Sequence, residues 1–182
     1  MRIITGTARG RRLQTLPGEG TRPTTDKVKE GIFSAIQFDI EGRRVLDLFA
    51  GSGQMGLEAL SRGAVRAVMV DSNPKAAEVI RQNCQTCGSQ SQSVVLCTDA
   101  VGFCGGCQDE FDIIFLDPPY GVGLLQQILP LAAKRLSSYG MLVCEHPLGE
   151  PMPERVDEIS IYRTYRYGKT AVTIYRRAAH EI

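Results

Sequence analysis

Residues 45–63 read VLDLFAGSGQMGLEALSRG, and the residue types follow the order of a strand, a glycine turn and a helix. Val45 to Phe49 is a short apolar run holding one carboxylate, Asp47. Gly51, Ser52 and Gly53 let the backbone turn sharply and come close to a ligand, because no Cβ stands in the way at the glycines. The helix that follows carries Leu57 and Leu60 on one face, with Arg62 in its last turn and Gly63 placed for a left-handed C-cap. A first βα unit of this kind predicts an α/β fold with a nucleotide-type pocket at the turn.

The spacing Gly51-x-Gly53-x-x-Gly56, with Asp71 twenty residues after Gly51, also satisfies the dinucleotide fingerprint. Asp47 separates the two readings. A dinucleotide would bring its pyrophosphate to this turn, where a nearby carboxylate repels it. S-adenosylmethionine has no phosphate and carries an ammonium and a sulfonium, so an acid at the end of the first strand attracts it. A second acid after the next strand can accept both ribose hydroxyls. Asp47 and Asp71 fit those two tasks; a glycine turn with no ligand is the plainer alternative.

At 182 residues, 43% hydrophobic and with a net charge of +1, the chain is long enough to bury a core as one globular body. No apolar run approaches the roughly 20 residues of a membrane span, and MRIITGTARGRR lacks the apolar centre of a signal peptide. A cytoplasmic location, no membrane partner and a monomer are expected. Charge is unevenly distributed: Met1 to Lys29 holds seven basic residues (Arg2, Arg9, Arg11, Arg12, Arg22, Lys27, Lys29) against Glu19 and Asp26, so the remainder carries −4. A basic arm on a mildly acidic body suits a polyanion, since clustered arginines neutralise phosphates and release counterions. A solvated basic surface is the alternative.

The chain opens with Arg2 to Thr5 and Arg11 to Leu16, extended runs around Gly6 to Gly10 that predict a basic β-hairpin. Pro17, Gly18, Gly20 and Pro23 form a loop, and Thr24 or Thr25 can cap a helix with apolar positions Val28, Ile32 and Ile36 and Phe33 beside them. Gly31 inside that helix costs roughly 1 kcal/mol against alanine, which a close packing contact would explain. Expected strands follow at Ala67–Val70, Val94–Cys97, Phe111–Leu116 and Met141–Glu145, with helices at Pro74–Cys84 and about Gly123–Leu136, the latter kinked by Pro130. Ile159–Tyr167 and Thr170–Arg176 alternate as an antiparallel hairpin. The whole predicts a mostly parallel, Rossmann-like sheet of seven strands ending in an antiparallel pair. Ligands of such sheets bind outside the carboxyl ends of the strands, where Asp47, Asp71, Asp99 and Asp117 all fall. Asp99 suits either the adenine amine or a helix N-cap.

Asp117-Pro118-Pro119-Tyr120 directly follows the fourth strand. Methylation of an exocyclic amine requires its nitrogen lone pair to turn toward the methyl donor, although that pair is delocalised into the base. The Asp117 carboxylate and Pro118 carbonyl can hold the two N–H bonds aside, Pro119 fixes the carbonyl's direction, and Tyr120 offers a ring for stacking. A strand-end turn with incidental prolines is the alternative.

Together, MRIITGTARGRR, TRPTTDKVKEGIF at 21–33, DLFAGSGQMGLEALSRG at 47–63 and DPPY at 117–120 closely resemble the RsmD family across essentially the whole chain. These are class I, S-adenosylmethionine-dependent methyltransferases acting on guanine N2 of small-subunit (16S) ribosomal RNA. The resemblance implies an arm at 1–20 on a methyltransferase domain at 21–182. It implies that Asp47, Gly51, Gly53, Asp71 and Asp99 bind S-adenosylmethionine (product S-adenosylhomocysteine), with Phe49, Ala50, Ser52, Gly56, Ser72 and Ala100 completing that site. Asp117 to Tyr120 would hold a flipped or unpaired base. Arg9, Arg11, Arg12, Arg22 and Lys27 would contact RNA, with Arg22 to Asp26 placed to close over the cofactor. The resemblance leaves open whether the substrate is naked 16S rRNA or an assembling small ribosomal subunit.

Six cysteines depart from that pattern. Cys84-x-x-Cys87 and Cys104-x-x-Cys107 have the spacing of a four-cysteine zinc site, yet they follow different strands and so can lie on opposite faces of the sheet. Reduced cysteines packed as small apolar residues, with no metal, are expected. Cys97 and Cys144 are expected in strand core, and His146 and His180 in a loop and the tail. Two other readings stand beside the guanine methyltransferase. One is an adenine-N6 methyltransferase, against which the chain offers little room for a target-recognition domain. The other is a NAD-binding or non-catalytic nucleotide module, against which Asp47 counts.

Overall fold

The computed structural model describes residues 1–17 and 25–177, so Arg22, Thr24 and His180 lie outside the described residues. The elements run α1 (Asp26–Ala35), β1 (Arg44–Asp47), α2 (Gln54–Ser61), β2 (Arg66–Asp71), α3 (Pro74–Cys87), a short 3-10 turn (Gln90–Gln92), β3 (Ser93–Cys97), α4 (Ala100–Gly106), β4 (Phe111–Leu116), α5 (Leu124–Ala133), β5 (Leu136–Pro147), β6 (Arg155–Val156), β7 (Ile159–Tyr167) and β8 (Thr170–Arg177). One sheet takes all the strands, in the order β3-β2-β1-β4-β5-β8-β7-β6. The pairs from β3 to β5 are parallel, and β5–β8, β8–β7 and β7–β6 are antiparallel. The seven expected strands are present. The two-residue β6 adds an eighth at the edge, too short to leave a periodic signal in sequence.

Strand order reverses at β1: β2 and β3 follow on one side, β4 and β5 on the other. Such a switch point opens a crevice at the carboxyl ends of its strands, here those of β1 and β4. Both faces of the sheet are covered. One apolar cluster joins Ile3, Ile32, Phe33, Leu57 and Ile80 to Val45 and Ile113, under the N-terminal segment and α1–α3. The other joins Ala100, Leu125 and Ile128 to Leu46, Ile114 and Tyr175, under α4 and α5. Coverage on both sides explains why Val45 and Leu46 in β1 and Ile113, Ile114, Phe115 and Leu116 in β4 read as consecutive apolar residues rather than alternating ones.

The N-terminal segment folds back as an antiparallel turn, with Arg2 bridged to Arg12, Ile3 N donating to Arg11 O (3.0 Å) and Gly10 N to Ile3 O (2.9 Å). It is bound to the body through buried polar groups. The carboxylate of Glu58, in α2 and fully buried, accepts from Ile4 N (2.8 Å), Thr5 N (3.0 Å) and Arg62 Nε (2.9 Å). Buried Lys29 lies 3.7 Å from Glu58 and donates to Arg2 O at 2.6 Å. Ser61 accepts from Ala8 N (2.9 Å) and donates to Thr5 O (2.6 Å), while Asn83 pairs with the backbone of Gln14 in both directions. Gly6, at φ +89°, packs so tightly that a Cβ would stand 1.7 Å from the Ser61 carbonyl oxygen.

Thr25 caps α1 by accepting from Val28 N, and Gly31 does make the close contact its position suggested: a Cβ there would meet the Tyr167 ring. Local expectations changed in two places. His146 is not a loop residue, because pairing with β8 extends β5 through Pro147 and buries the imidazole, whose Nε2 meets Thr173 Oγ1 at 2.8 Å. Cys97 is exposed at the end of outer strand β3, whereas Cys144 is buried as expected. Cys84 and Cys87 pack into the first apolar cluster and Cys104 and Cys107 into the second. The sheet therefore stands between the two pairs. Among the described residues no helix is long and apolar enough to cross a membrane.

Candidate active site

The parallel ladder carries the four acids to one rim. Asp47 ends β1 and Asp71 ends β2, while Asp99 and Asp117 stand just beyond β3 and β4. Asp47 is buried, and its Oδ2 accepts from Gly56 N at 3.2 Å, which ties the end of β1 to the start of α2. Burial pushes its carboxyl up to about 7; the hydrogen bond from Gly56 opposes this and the charge of Asp71 adds to it. Asp71 accepts from Gly51 N (2.8 Å) and Asn73 N (2.9 Å), so it holds the glycine turn from the neighbouring strand. Gly51 and Gly53 have φ of +56° and +81°, and a Cβ built on Gly51 would project into open space. The turn thus presents bare backbone outward, as the sequence predicts. Gly56 lies against Met69, which leaves no room for a side chain.

A crevice at the switch point is lined by Asp47, Phe49, Ala50, Asp117, Gln54 and Glu145, among others. A second opens beside it, lined by Pro118, Pro119, Tyr120, Glu145 and Glu150, among others. Asp47 and Asp117, seventy residues apart in sequence, therefore line one opening, with Pro118, Pro119 and Tyr120 lining the neighbouring one. Asp117 is half-buried, Pro118 buried, and Pro119 and Tyr120 exposed. The Tyr120 hydroxyl donates to Glu145 Oε1 at 3.4 Å, and burial pushes that phenol up to about 12. Ser52 is buried and directs its hydroxyl to Met1 Sδ at 3.0 Å. Ser72 is exposed beside Asp71. Asp99 caps α4, accepting from Gly102 N at 2.7 Å, and Ala100 packs into the second apolar cluster; neither lines these two crevices.

Arg9, Arg11 and Arg12 are exposed on the docked N-terminal turn, and Lys27 is exposed on α1. Lys29, counted above with the basic residues, is spent internally on Glu58. Glu145 was missed by sequence reasoning. The pattern MLVCEHP offers only a polar residue at the end of an apolar run, and nothing local says that β5 lies beside β4.

A family model described as Conserved hypothetical protein 95 matches residues 1–176. This chain belongs to that family, the RsmD methyltransferases. YlbH of Bacillus subtilis, which bears the name of an rRNA methyltransferase provisionally, is 40% identical over 182 residues, covering 97% of this chain and 99% of that protein. Ribosomal RNA small subunit methyltransferase D of Escherichia coli is 33% identical over 181 residues, covering 98% and 91%. The solved structure of yhhF from Escherichia coli superposes with a TM-score of 0.88 at 32% identity and covers 99% of each chain.

Proposed function

We propose that this chain transfers a methyl group from S-adenosylmethionine to the exocyclic N2 of a guanine in small-subunit (16S) ribosomal RNA. The observation that carries the reading is the shared crevice, in which the buried Asp47 and the Asp117 turn line one opening. The names borne by the Escherichia coli and Haemophilus influenzae relatives, both small-subunit rRNA methyltransferases, support the RNA class.

The residues fit the donor. A carboxylate kept in a dry site favours an ammonium or sulfonium and disfavours a pyrophosphate. Asp47, Phe49 and Ala50 would contact it from the β1 side, and Gly51, Ser52, Gly53 and Gly56 supply the turn. Asp71 and Ser72 would receive the ribose, and Asp99 and Ala100 the adenine. S-adenosylmethionine supplies a sulfonium-bound methyl that is electrophilic without further activation. On the acceptor side, the Asp117 carboxylate and the Pro118 carbonyl accept the two amine N–H bonds and turn the nitrogen lone pair out of the base plane. Pro119 fixes the turn and Tyr120 stacks on the base. At neutral pH the Tyr120 phenol stays protonated, so it acts as a donor and a surface, not as a base. Residues 1–20 serve as an RNA-binding arm on the 21–182 methyltransferase body, through Arg9, Arg11, Arg12, Arg22 and Lys27.

The test is transfer of labelled methyl to small-subunit RNA, free and in particles from a strain lacking the activity, followed by nucleoside digestion. Label is expected in N2-methylguanosine and is expected to fall at least about a hundredfold with Asp117→Ala. Label in N6-methyladenosine would replace the substrate, and absence of label despite cofactor binding would overturn the reading.

A further inference from the structure

Glu145 is the side chain common to the two neighbouring crevices: one also holds Asp47 and Asp117, the other Pro118, Pro119 and Tyr120. It reaches the rim from β5, which pairs in parallel with β4 through Leu116↔Cys144, so Glu145 follows the residue that sits across from the last residue before Asp117. It is half-buried, and its Oε1 accepts the Tyr120 hydroxyl at 3.4 Å. An ionised carboxylate offers about four lone-pair sites, enough to meet neighbouring protein groups and a ligand together. It can only accept.

That restriction decides between purines. On guanine the ring position next to the reactive amine carries N1–H, a donor; on adenine the ring nitrogen next to the N6 amine is N1, an acceptor. Asp117 and the Pro118 carbonyl engage only amine N–H bonds, which both bases possess, so the Asp-Pro-Pro-Tyr turn by itself does not choose. We infer that Glu145 is the specificity-determining residue of this site, accepting the N1–H of the target guanine and rejecting bases with an acceptor at that position. The inference rests on the proposed amino-methyltransferase reading and adds to it the means by which guanine is selected. A polar group positioned to meet one hydrogen-bond pattern discriminates against the opposite pattern once the bound base excludes water, because the mismatch leaves two acceptors facing each other.

The experiment uses small-subunit particles reconstituted with either guanosine or 2-aminopurine riboside at the target nucleotide. Both carry the N2 amine; only guanosine has N1–H. For the wild-type protein, kcat/KM is expected to favour guanosine by at least about a hundredfold. In Glu145→Gln the amide can present either its oxygen or its nitrogen, so the preference is expected to collapse to within a few-fold while the guanosine rate falls. Glu145→Asp keeps an acceptor-only group and is expected to retain the preference at a lower rate. Melting temperatures of the variants separate a folding defect from a lost contact. A preference unchanged in Glu145→Gln, or wild-type protein that methylates both substrates equally, overturns the inference while leaving the guanine-N2 reading intact. No transfer to guanosine by the wild-type protein overturns both.

Discussion

Asp47 has a cost that its place in the site explains. Its carboxyl has been raised from 3.8 to about 7 by burial, so in the folded protein it binds its proton more tightly than in the unfolded chain. The stabilisation that follows is complete below the unfolded value near 4 and is lost as pH rises through about 7; above that, the ionised group destabilises the fold by about 4 kcal/mol. Asp47→Asn removes the titration and can keep the acceptor for Gly56 N. Between pH 5 and 8 the wild-type protein is expected to lose about 3 kcal/mol at this site that the variant does not lose, measured by denaturant midpoints at the two pH values. The variant is also expected to lose donor affinity, measured by calorimetry with S-adenosylhomocysteine, because the site then offers no charge to the ligand's ammonium. Equal pH profiles for the two proteins would refute the role of burial.

At the scale of elements, the connection between the N-terminal turn, α1 and α2 depends on charges buried together. Glu58 receives two backbone amides of the turn, Arg62 and Lys29, and Arg62 also lies 4.7 Å from the centroid of the Phe33 ring. Burial lowers the Lys29 pKa, and Glu58 pulls it back up. Removing one partner strands the other in the interior. Glu58→Ala is expected to cost about 3–5 kcal/mol by chemical denaturation and to open the turn to protease cleavage within residues 1–17. The double variant Glu58→Leu/Lys29→Met is expected to recover part of that loss, since it removes the stranded ammonium and leaves Arg62 with only the Phe33 ring. A single variant as stable as the wild type would show that the turn is held without Glu58, by the apolar contacts of Ile3, Ala8 and Leu13 and the hydrogen bonds to Ser61 and Asn83.

For the molecule as a whole, docking converts a run of arginines into a fixed surface. Arg9, Arg11 and Arg12 point to solvent from a turn whose backbone is tied to α2 and α3, so an RNA contact there need not order the turn first. Replacing all three with alanine is expected to weaken binding of small-subunit RNA and to reduce the slope of log affinity against log salt by about 2, with the methyl-transfer rate at saturating RNA little changed. An unchanged salt slope would remove the surface from the RNA interface.

The sequence by itself determined the βα unit at 45–63, the parallel strands, the closing hairpin and the Asp-Pro-Pro-Tyr turn. Each is written in local terms: apolar runs without alternation, glycines where φ is positive, prolines after a strand. The four acids could be placed on one rim because strand ends are local too, and parallel pairing does the rest. The tertiary structure alone decided the partners. Glu58 reads as an ordinary helical glutamate until Ile4 and Thr5, more than fifty residues away, donate to it. Arg9 and Lys29 look alike in a basic segment, yet one is exposed and the other buried against Glu58. His146 became a strand residue through pairing with β8, and Glu145 reached the site because β5 lies beside β4. Hydrophobic period and turn chemistry act over a few residues and are legible there; the pairing of buried polar groups depends on which distant surfaces the packed sheet brings together.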